Sequence, residues 1–242
     1  MIAFNGQAIL LDIEGTTSSI SYVKDVMFPF VGQNVASFLN TNWASDPVQN
    51  SIDQMALDAG LSRVDWLGDL PDEPNSIVTK VNALMDGDSK TTGLKSLQGQ
   101  IWKAGFESGQ LQGHLYQDTA PAIKSWNESG IKVFIYSSGS IAAQKLYFGF
   151  SEAGDLLDQF AGHFDTTIGN KKESPSYQNI LNEIGLAGDQ VLFVSDVVAE
   201  LEAAKESGLQ TAHSIRPGNV EEDSLGHPSI NSFSEIQATQ LQ

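Results

Sequence analysis

Four consecutive apolar residues, Ala8-Ile9-Leu10-Leu11, run directly into Asp12-Ile13-Glu14-Gly15-Thr16-Thr17. An unbroken apolar run of this length reads as a strand buried on both faces, the situation inside a parallel sheet. Side chains alternate along a strand, so Asp12 and Glu14 share one side of its end. In open parallel sheets, ligand chemistry gathers at the carboxyl ends of strands. Two carboxylates held there can divide labour, one as nucleophile and one as general acid/base. A strand that merely ends in solvated acids and a polar turn would look the same, so the motif needs support from the rest of the chain.

The 242 residues allow one large domain, or a core with an insert. Cysteine is absent, which excludes disulfides, thiol nucleophiles and cysteine-ligated zinc. The histidines His114, His163, His213 and His227 lack the spacing of a zinc site. Met1-Ile2-Ala3-Phe4-Asn5-Gly6 has no basic region, and the apolar run behind it is too short for a signal peptide. No stretch approaches the ~18 apolar residues of a membrane span, and a cytoplasmic protein is expected. The formal net charge of −17, from 30 acidic and 13 basic residues, should repel nucleic acid and anionic membranes. If the substrate is a small-molecule phosphate, positive charge must come locally from a metal ion, a lysine or backbone N–H groups.

The carboxyl-terminal half alternates strand and helix. Lys132–Tyr136, His163–Ile168, Val191–Val194 and Gln210–Ile215 read as strands. Asp118–Ser129, with Thr119 as N-cap, Ile141–Phe150, Ser174 to Gly185 and Val197–Ser207 read as helices, several closed by glycine. Such alternation predicts an α/β fold with a doubly wound, Rossmann-like parallel sheet. Residues ~20–115 break the rhythm: Val35–Leu39, Val48–Ala59, Ile77–Met85 and Leu94–Phe106 carry helical spacing with no strand among them. The expected organisation is a core of residues 1–19 and 116–242 with a helical insert at 20–115. The tail from Arg216 is polar and weakly patterned, with Ile230 and Phe233 as the residues to pack back on the core.

Four strand ends each carry one component of a phosphoryl-transfer site. The first offers Asp12 and Glu14. The second offers Ser137-Ser138-Gly139-Ser140 at a helix start, where hydroxyls and N–H groups can hold a phosphate. The third region offers Lys171 and Lys172, the only adjacent basic pair, and the fourth ends in Ser195-Asp196 with Glu200 one turn later. Each feature alone is commonly a cap or a solvated face. All four in this order at one edge of a sheet are a far rarer coincidence.

This order resembles the haloacid dehalogenase-like phosphatases. More narrowly the chain resembles the acireductone synthase (enolase-phosphatase) family of methionine salvage. The narrower likeness rests on Asp12–Thr17, Asp25–Phe30, Trp102–Gly109, Tyr136–Ser140 with Gln144-Lys145-Leu146, and Arg216-Pro217-Gly218-Asn219. The resemblance implies that Asp12 attacks phosphorus and that Glu14 protonates the leaving oxygen and then activates water. It implies one Mg²⁺ held by the Asp12 carboxylate, the Glu14 main-chain carbonyl and Asp196, an all-oxygen set suited to that hard ion. Ser137 and Ser138 would bind phosphate or adjacent substrate oxygens, and Lys171 would neutralise phosphate charge. Lys172 need not be basic, which leaves the pair ambiguous. Glu200 would orient the metal shell or favour its own helix amino terminus.

The implied reaction takes 2,3-diketo-5-methylthiopentyl-1-phosphate through its enol-phosphate to an acireductone and phosphate, catalysed by a monomer. The insert would act as a cap that closes over the site. Tyr22, Phe28, Phe30 and Trp102 are candidates for lining the methylthio-alkyl pocket, although aromatics in a helical cap are more often core. Glu107 and His114 are candidate bases for the carbon proton. The competing readings are a sugar- or glycolate-phosphate phosphatase with another cap, and a catalytically dead binding module. The second would be expected to have lost Asp12, Lys171 or Asp196, and all three are present.

Overall fold

The computed structural model describes residues 1–240. The chain forms two compact units, Met1–Val23 with Gln112–Gln242, and Lys24–Leu111. The strands all belong to the first unit: β1 (Ile2–Gly6), β2 (Ala8–Leu11), β3 (Lys132–Tyr136), β4 (Gly162–Phe164), β5 (Val191–Ser195), β6 (Gln210–Ser214), β7 (Ser229–Ile230) and β8 (Ile236–Gln240). Six of them form one parallel sheet in the order β4-β3-β2-β5-β6-β7, while β1 and β8 pair in parallel with each other. The chain winds outward from β2 through β3 to β4, then returns to lay β5 on the other side of β2. The topological switch point thus lies between the ends of β2 and β5, where open α/β sheets bind ligands.

All four residues of β2 are buried, as the apolar run requires of a central strand. Leu11 pairs with Ile135 on one side and Val194 on the other. Extending that register, Asp12, Tyr136 and Ser195 come level at the carboxyl edge, and Ser137 and Asp196 follow one residue on. The strand expected over His163–Ile168 stops at Phe164. Asp165 ends it by accepting from its own downstream Thr167 N–H at 2.9 Å, a turn that competes with the ladder.

The chain leaves β2 through a single turn, α1 (Ile20–Tyr22), which runs into a π-turn over Val23–Met27. The helical unit contains α2 (Phe28–Asn42), α3 (Asp46–Asp58), α4 (Arg63–Leu67), α5 (Pro74–Asp86) and α6 (Thr92–Glu107). Its core is a set of stripes at helical spacing: Val31, Val35 and Leu39; Val48, Ile52 and Met55; Ile77 and Val81; Leu94, Leu97 and Ile101. The short α4 escapes the periodicity because it is too brief to show a stripe. Ser62 caps it, and Arg63 ties it to Asp53 at 3.1 Å and Asp72 at 2.6 Å.

The α/β unit carries α7 (Thr119–Glu128), α8 (Ile141–Gly149), α9 (Ser174–Ile184) and α10 (Val198–Glu206). Asp118, not Thr119, is the N-cap of α7, since Thr119 is already helical and donates its hydroxyl to the Thr17 carbonyl at 3.0 Å. The polar tail does pack back: Ile230 and Phe233 are fully buried. Phe233 lies between the Trp126 ring, at 5.4 Å, and the Arg216 guanidinium, at 4.5 Å. Phe233→Ala should therefore destabilise the protein by about 3–5 kcal/mol, the usual loss for a buried phenylalanine. Urea unfolding followed by fluorescence checks this, and a loss below about 1 kcal/mol would show that the tail is not part of the cooperative core.

Candidate active site

The loop after β2 is fixed through its carbonyls. The Ile13 carbonyl accepts N–H groups from Thr16 (3.2 Å), Thr17 (3.0 Å) and Ser18 (3.0 Å), which curls the segment tightly. Gly15 takes a positive φ of 71°, a conformation that favours glycine. The Gly15 carbonyl accepts from Ser214 Oγ at 3.1 Å and Asn219 Nδ2 at 2.9 Å. The Thr16 carbonyl accepts from Arg216 Nε at 3.2 Å, and the Thr17 carbonyl accepts from Tyr116 N and Thr119 Oγ1, each at 3.0 Å. Arg216 is itself held by Asp118 at 2.9 Å and lies over the Tyr116 ring. With this backbone locked, Asp12 is presented at the sheet edge, where it is buried; Glu14 is half-buried beside it.

Lys171 joins two of the strand ends. Its Nζ lies 2.6 Å from Asp12 Oδ1 and 2.6 Å from Glu200 Oε2, and all three residues are buried. Burial alone would lower the Lys171 pKa, but the Asp12 and Glu200 charges overturn that and hold it above its usual range. Glu200 also accepts from Ser195 Oγ at 3.0 Å. Burial, followed by the Asp12 charge, pushes the Glu200 carboxyl up against the opposing pull of Lys171. Asp196 is raised to about 7, first by burial and then by the charges of Asp12 and Glu200. Three acids thus feel one another around a single ammonium, and two of them, Glu200 and Asp196, are held above the usual carboxylate range.

The backbone that delivers Lys171 is pinned from both sides. Tyr136 donates its hydroxyl to the Gly169 carbonyl at 3.0 Å, and Tyr177 donates to the Lys171 carbonyl at 2.6 Å. Gly169 has a φ of 147°, and a Cβ there would press on Ser176 at 2.7 Å, so a larger residue would displace this turn. Lys171 is directed inward, with Nζ 5.6 Å over the Tyr136 ring, while Lys172 is exposed. Of the pair, Lys171 is thus the one that reaches Asp12.

At the end of β3, Ser137 is buried and Ser138 exposed. The Ser137 N–H is spent on the Phe164 carbonyl at 3.2 Å, and its Oγ accepts from Gly139 N at 3.3 Å. The amino terminus of α8 is partly occupied, with Ile141 N donating to Asp165 Oδ2 at 3.1 Å and Ala143 N to Ser140 Oγ at 3.3 Å. Any anion here would be met by the Ser137–Gly139 loop ahead of the helix. Gln144 supports that loop by donating to the carbonyls of Gly139 and Phe164, both at 2.8 Å.

A divalent cation fits the chemistry of these donors. The Asp12 and Asp196 carboxylates and the Glu14 carbonyl are an all-oxygen donor set of the kind such an ion takes, while among the described residues no group of three or more His, Asp or Glu side chains is gathered closely enough to hold an ion by itself. A Cβ on Gly15 would overlap Asp196 Oδ2, so the Asp196 carboxylate leans on the residue next to Glu14.

Residues 7–208 match the family model of haloacid dehalogenase-like hydrolases. The chain is 45% identical to enolase-phosphatase E1 of Xenopus tropicalis, over 94% of this chain and 93% of that one. It is also 45% identical to the enolase-phosphatase E1 of Synechococcus elongatus, over 94% and 96%. It belongs to the enolase-phosphatase E1 family of haloacid dehalogenase-like hydrolases. Among solved structures, the UTR4 protein of Saccharomyces cerevisiae superposes with a TM-score of 0.81 at 34% identity, covering 96% of this chain and all of that one. CbbY of Rhodobacter sphaeroides shares the fold, with a TM-score of 0.59 at 15% identity and coverage of 96% and 97%.

Within this hydrolase fold, sequence reading missed the grip of Glu200 on Lys171 and the hold of Arg216 and Asn219 on the catalytic loop. The Arg216–Asn219 motif was visible, but nothing in its spacing pointed back to a loop some two hundred residues earlier. Of the pocket candidates, Phe30 and Trp102 pack into the helical unit, where Phe30 lies against Gly105 and Trp102 Nε1 donates to the Met27 carbonyl at 2.9 Å. Phe28 is largely exposed and meets Trp102 edge-on at 5.7 Å. Tyr22 stacks on His114 at 5.8 Å in the α/β unit. Glu107 is exposed in an ion pair with Lys103 at 3.8 Å. His114 Nδ1 accepts from Ser19 N at 3.3 Å, which places its proton on Nε2 and disfavours it as a base.

The raised Asp196 carboxyl makes a pH prediction for metal-free protein. Below its unfolded pKa of ~3.9, Asp196 is protonated in both states and costs nothing. As pH rises to about 7 the folded state retains a proton that the unfolded state has lost, so stability falls through this window. Asp196→Asn removes that penalty. In chelator it should melt at least about 2 °C above the unmodified protein at pH 8 and together with it near pH 4. Calorimetric melts at both pH values check this; an equal difference at the two would contradict the buried, repelled carboxylate.

Proposed function

We propose that this enolase-phosphatase converts 2,3-diketo-5-methylthiopentyl-1-phosphate, through its enol-phosphate, to the acireductone 1,2-dihydroxy-3-keto-5-methylthiopentene and phosphate in methionine salvage. The observation that carries the reading is Asp12, buried at the switch point with its Oδ1 held by Lys171 at 2.6 Å, in a chain that matches enolase-phosphatases over nearly its full length. Lys171 holds one carboxylate oxygen and so aims the other, Oδ2, as the nucleophile. Attack on phosphorus forms an aspartyl-phosphate as the ester P–O bond breaks. Glu14 gives its proton to the departing enol oxygen, then takes one from the water that attacks phosphorus and restores Asp12. Ser137 and Ser138 receive the phosphate oxygens, and Lys171 balances their charge.

The preceding enolisation removes a proton from the phosphate-bearing carbon, so the released product already carries its enol. A Mg²⁺ ion held by Asp12, the Glu14 carbonyl and Asp196 would supply charge neutralisation for the phosphate and polarisation of the diketone. The helical unit takes the role of the substrate-selecting cap. The enzyme is read as a monomer from its family resemblance. Its substrate, a charged phosphate ester that membranes retain, places it in the cytoplasm.

With Mg²⁺ and the diketo-phosphate, purified protein should release phosphate and the ultraviolet-absorbing acireductone in equal amounts. Asp12→Asn should release neither, because an amide cannot attack phosphorus, while Glu14→Gln should slow turnover by about 10²–10⁴. Phosphate released together with the diketo alcohol would overturn the enolase assignment and leave a simple phosphatase.

A further inference from the structure

Asn219 closes on the catalytic loop with both ends of its amide. Nδ2 donates to the carbonyls of Gly15 at 2.9 Å and Ser214 at 3.1 Å. Two carbonyl acceptors fix which end is nitrogen, since a carbonyl cannot face the amide oxygen. The other end, Oδ1, is buried and has no hydrogen-bond donor among the described residues. A side chain on Gly15 would begin at a point 3.0 Å from Asn219 Oδ1 and in overlap with Asp196 Oδ2. Two acceptor oxygens on different elements thus converge beside Gly15. A buried acceptor left without a donor is destabilising.

Only a donor or a cation between or beside them relieves this. Water molecules coordinated to a divalent ion direct their protons outward and are strong donors, and outer partners of this kind commonly tune metal affinity. We propose that Asn219 is a positioning residue for the cation, with Oδ1 accepting from a water carried by the ion on Asp196 while Nδ2 fixes the Gly15 peptide. This rests on the metal reading above. It assigns a function to the Arg216–Asn219 turn that a purely structural role for its hydrogen bonds does not require. Ser214 provides the comparison, because its hydroxyl also donates to the Gly15 carbonyl, at 3.1 Å, and so supports the same peptide.

The test uses Mn²⁺ as a spin-active probe, with free ion counted by electron paramagnetic resonance during titration of the purified full-length protein, and melting measured separately in chelator. Asn219→Ala should bind Mn²⁺ about 10–100-fold more weakly, whereas Ser214→Ala should stay within about threefold although both melt lower in chelator. Asn219→Asp keeps an acceptor oxygen and loses the Nδ2 donor. It should bind at least as tightly as the unmodified protein, and it keeps the test decisive if Asn219→Ala does not fold. Unchanged affinity in Asn219→Ala, equal losses in Asn219→Ala and Ser214→Ala, or a tenfold loss in Asn219→Asp would each overturn the inference while the cation reading stands, provided Asp196→Ala abolishes binding. No Mn²⁺ binding by the unmodified protein would overturn both.

Discussion

The Lys171 ammonium, 2.6 Å from both Asp12 and Glu200, is the interaction on which the catalytic edge depends. Moving charges out of water costs several kcal/mol even after relaxation, and the close pairing of the ammonium with its two buried carboxylate partners offsets that cost. Beside this trio, burial first and then the charges of Asp12 and Glu200 hold the Asp196 carboxyl up at about 7. In the proposed scheme a divalent cation on Asp12 and Asp196 would relieve this crowding of acids and shield the phosphate dianion from it.

Much of the remaining structure serves to keep that arrangement rigid. The β2 loop is held by donors from distant parts of the chain: Tyr116 and Thr119 ahead of β3, and Ser214, Arg216 and Asn219 after β6. The turn that presents Lys171 is held by two tyrosine hydroxyls and by a glycine conformation that places the backbone close to Ser176. The phosphate-side loop is held by Gln144 and Asp165. Asp12 and Asp196 thus follow the fully buried strands β2 and β5, and the β2 loop and the Lys171 turn are braced through their backbone carbonyls. Catalysis by positioning demands this pattern, because a small displacement of the nucleophile loses a large factor in rate.

The residues that were legible in the sequence were those whose neighbours lie close along the chain. The apolar runs Ala8–Leu11, Val133–Tyr136 and Val191–Val194 announced buried parallel strands, and the acids, serines and lysines that follow them lie at the edge where such sheets work. The helical segments were visible because apolar residues recur at helical spacing within helices of 13 to 16 residues. The pair of β1 with β8 was not visible, since Phe4 and Gly6 are the only buried positions of β1 and its partner lies at the far end of the chain. The strand after Ala161 was drawn too long because side-chain capping by Asp165 leaves no trace in hydrophobic pattern. Glu200 looked like a helix-terminal acid, and only the three-dimensional approach of α10 to the Lys171 turn shows what it holds. Long-range polar contacts have no period, which is why the supports of the candidate site were hidden while the acids, serines and lysines at the strand ends were not.

The central claim is that Lys171 and the sheet edge present Asp12 as a covalent nucleophile, with Glu14 needed to hydrolyse what it forms. The most direct measurement is mass spectrometry of Glu14→Gln after rapid acid quench during turnover of the diketo-phosphate with Mg²⁺. The account predicts that the peptide containing Asp12 gains the mass of one phosphoryl group, that the gain maps to Asp12, and that it disappears in Glu14→Gln combined with Asp12→Asn. Phosphate released at an unchanged rate with no phosphoryl group on Asp12 at any quench time would contradict it.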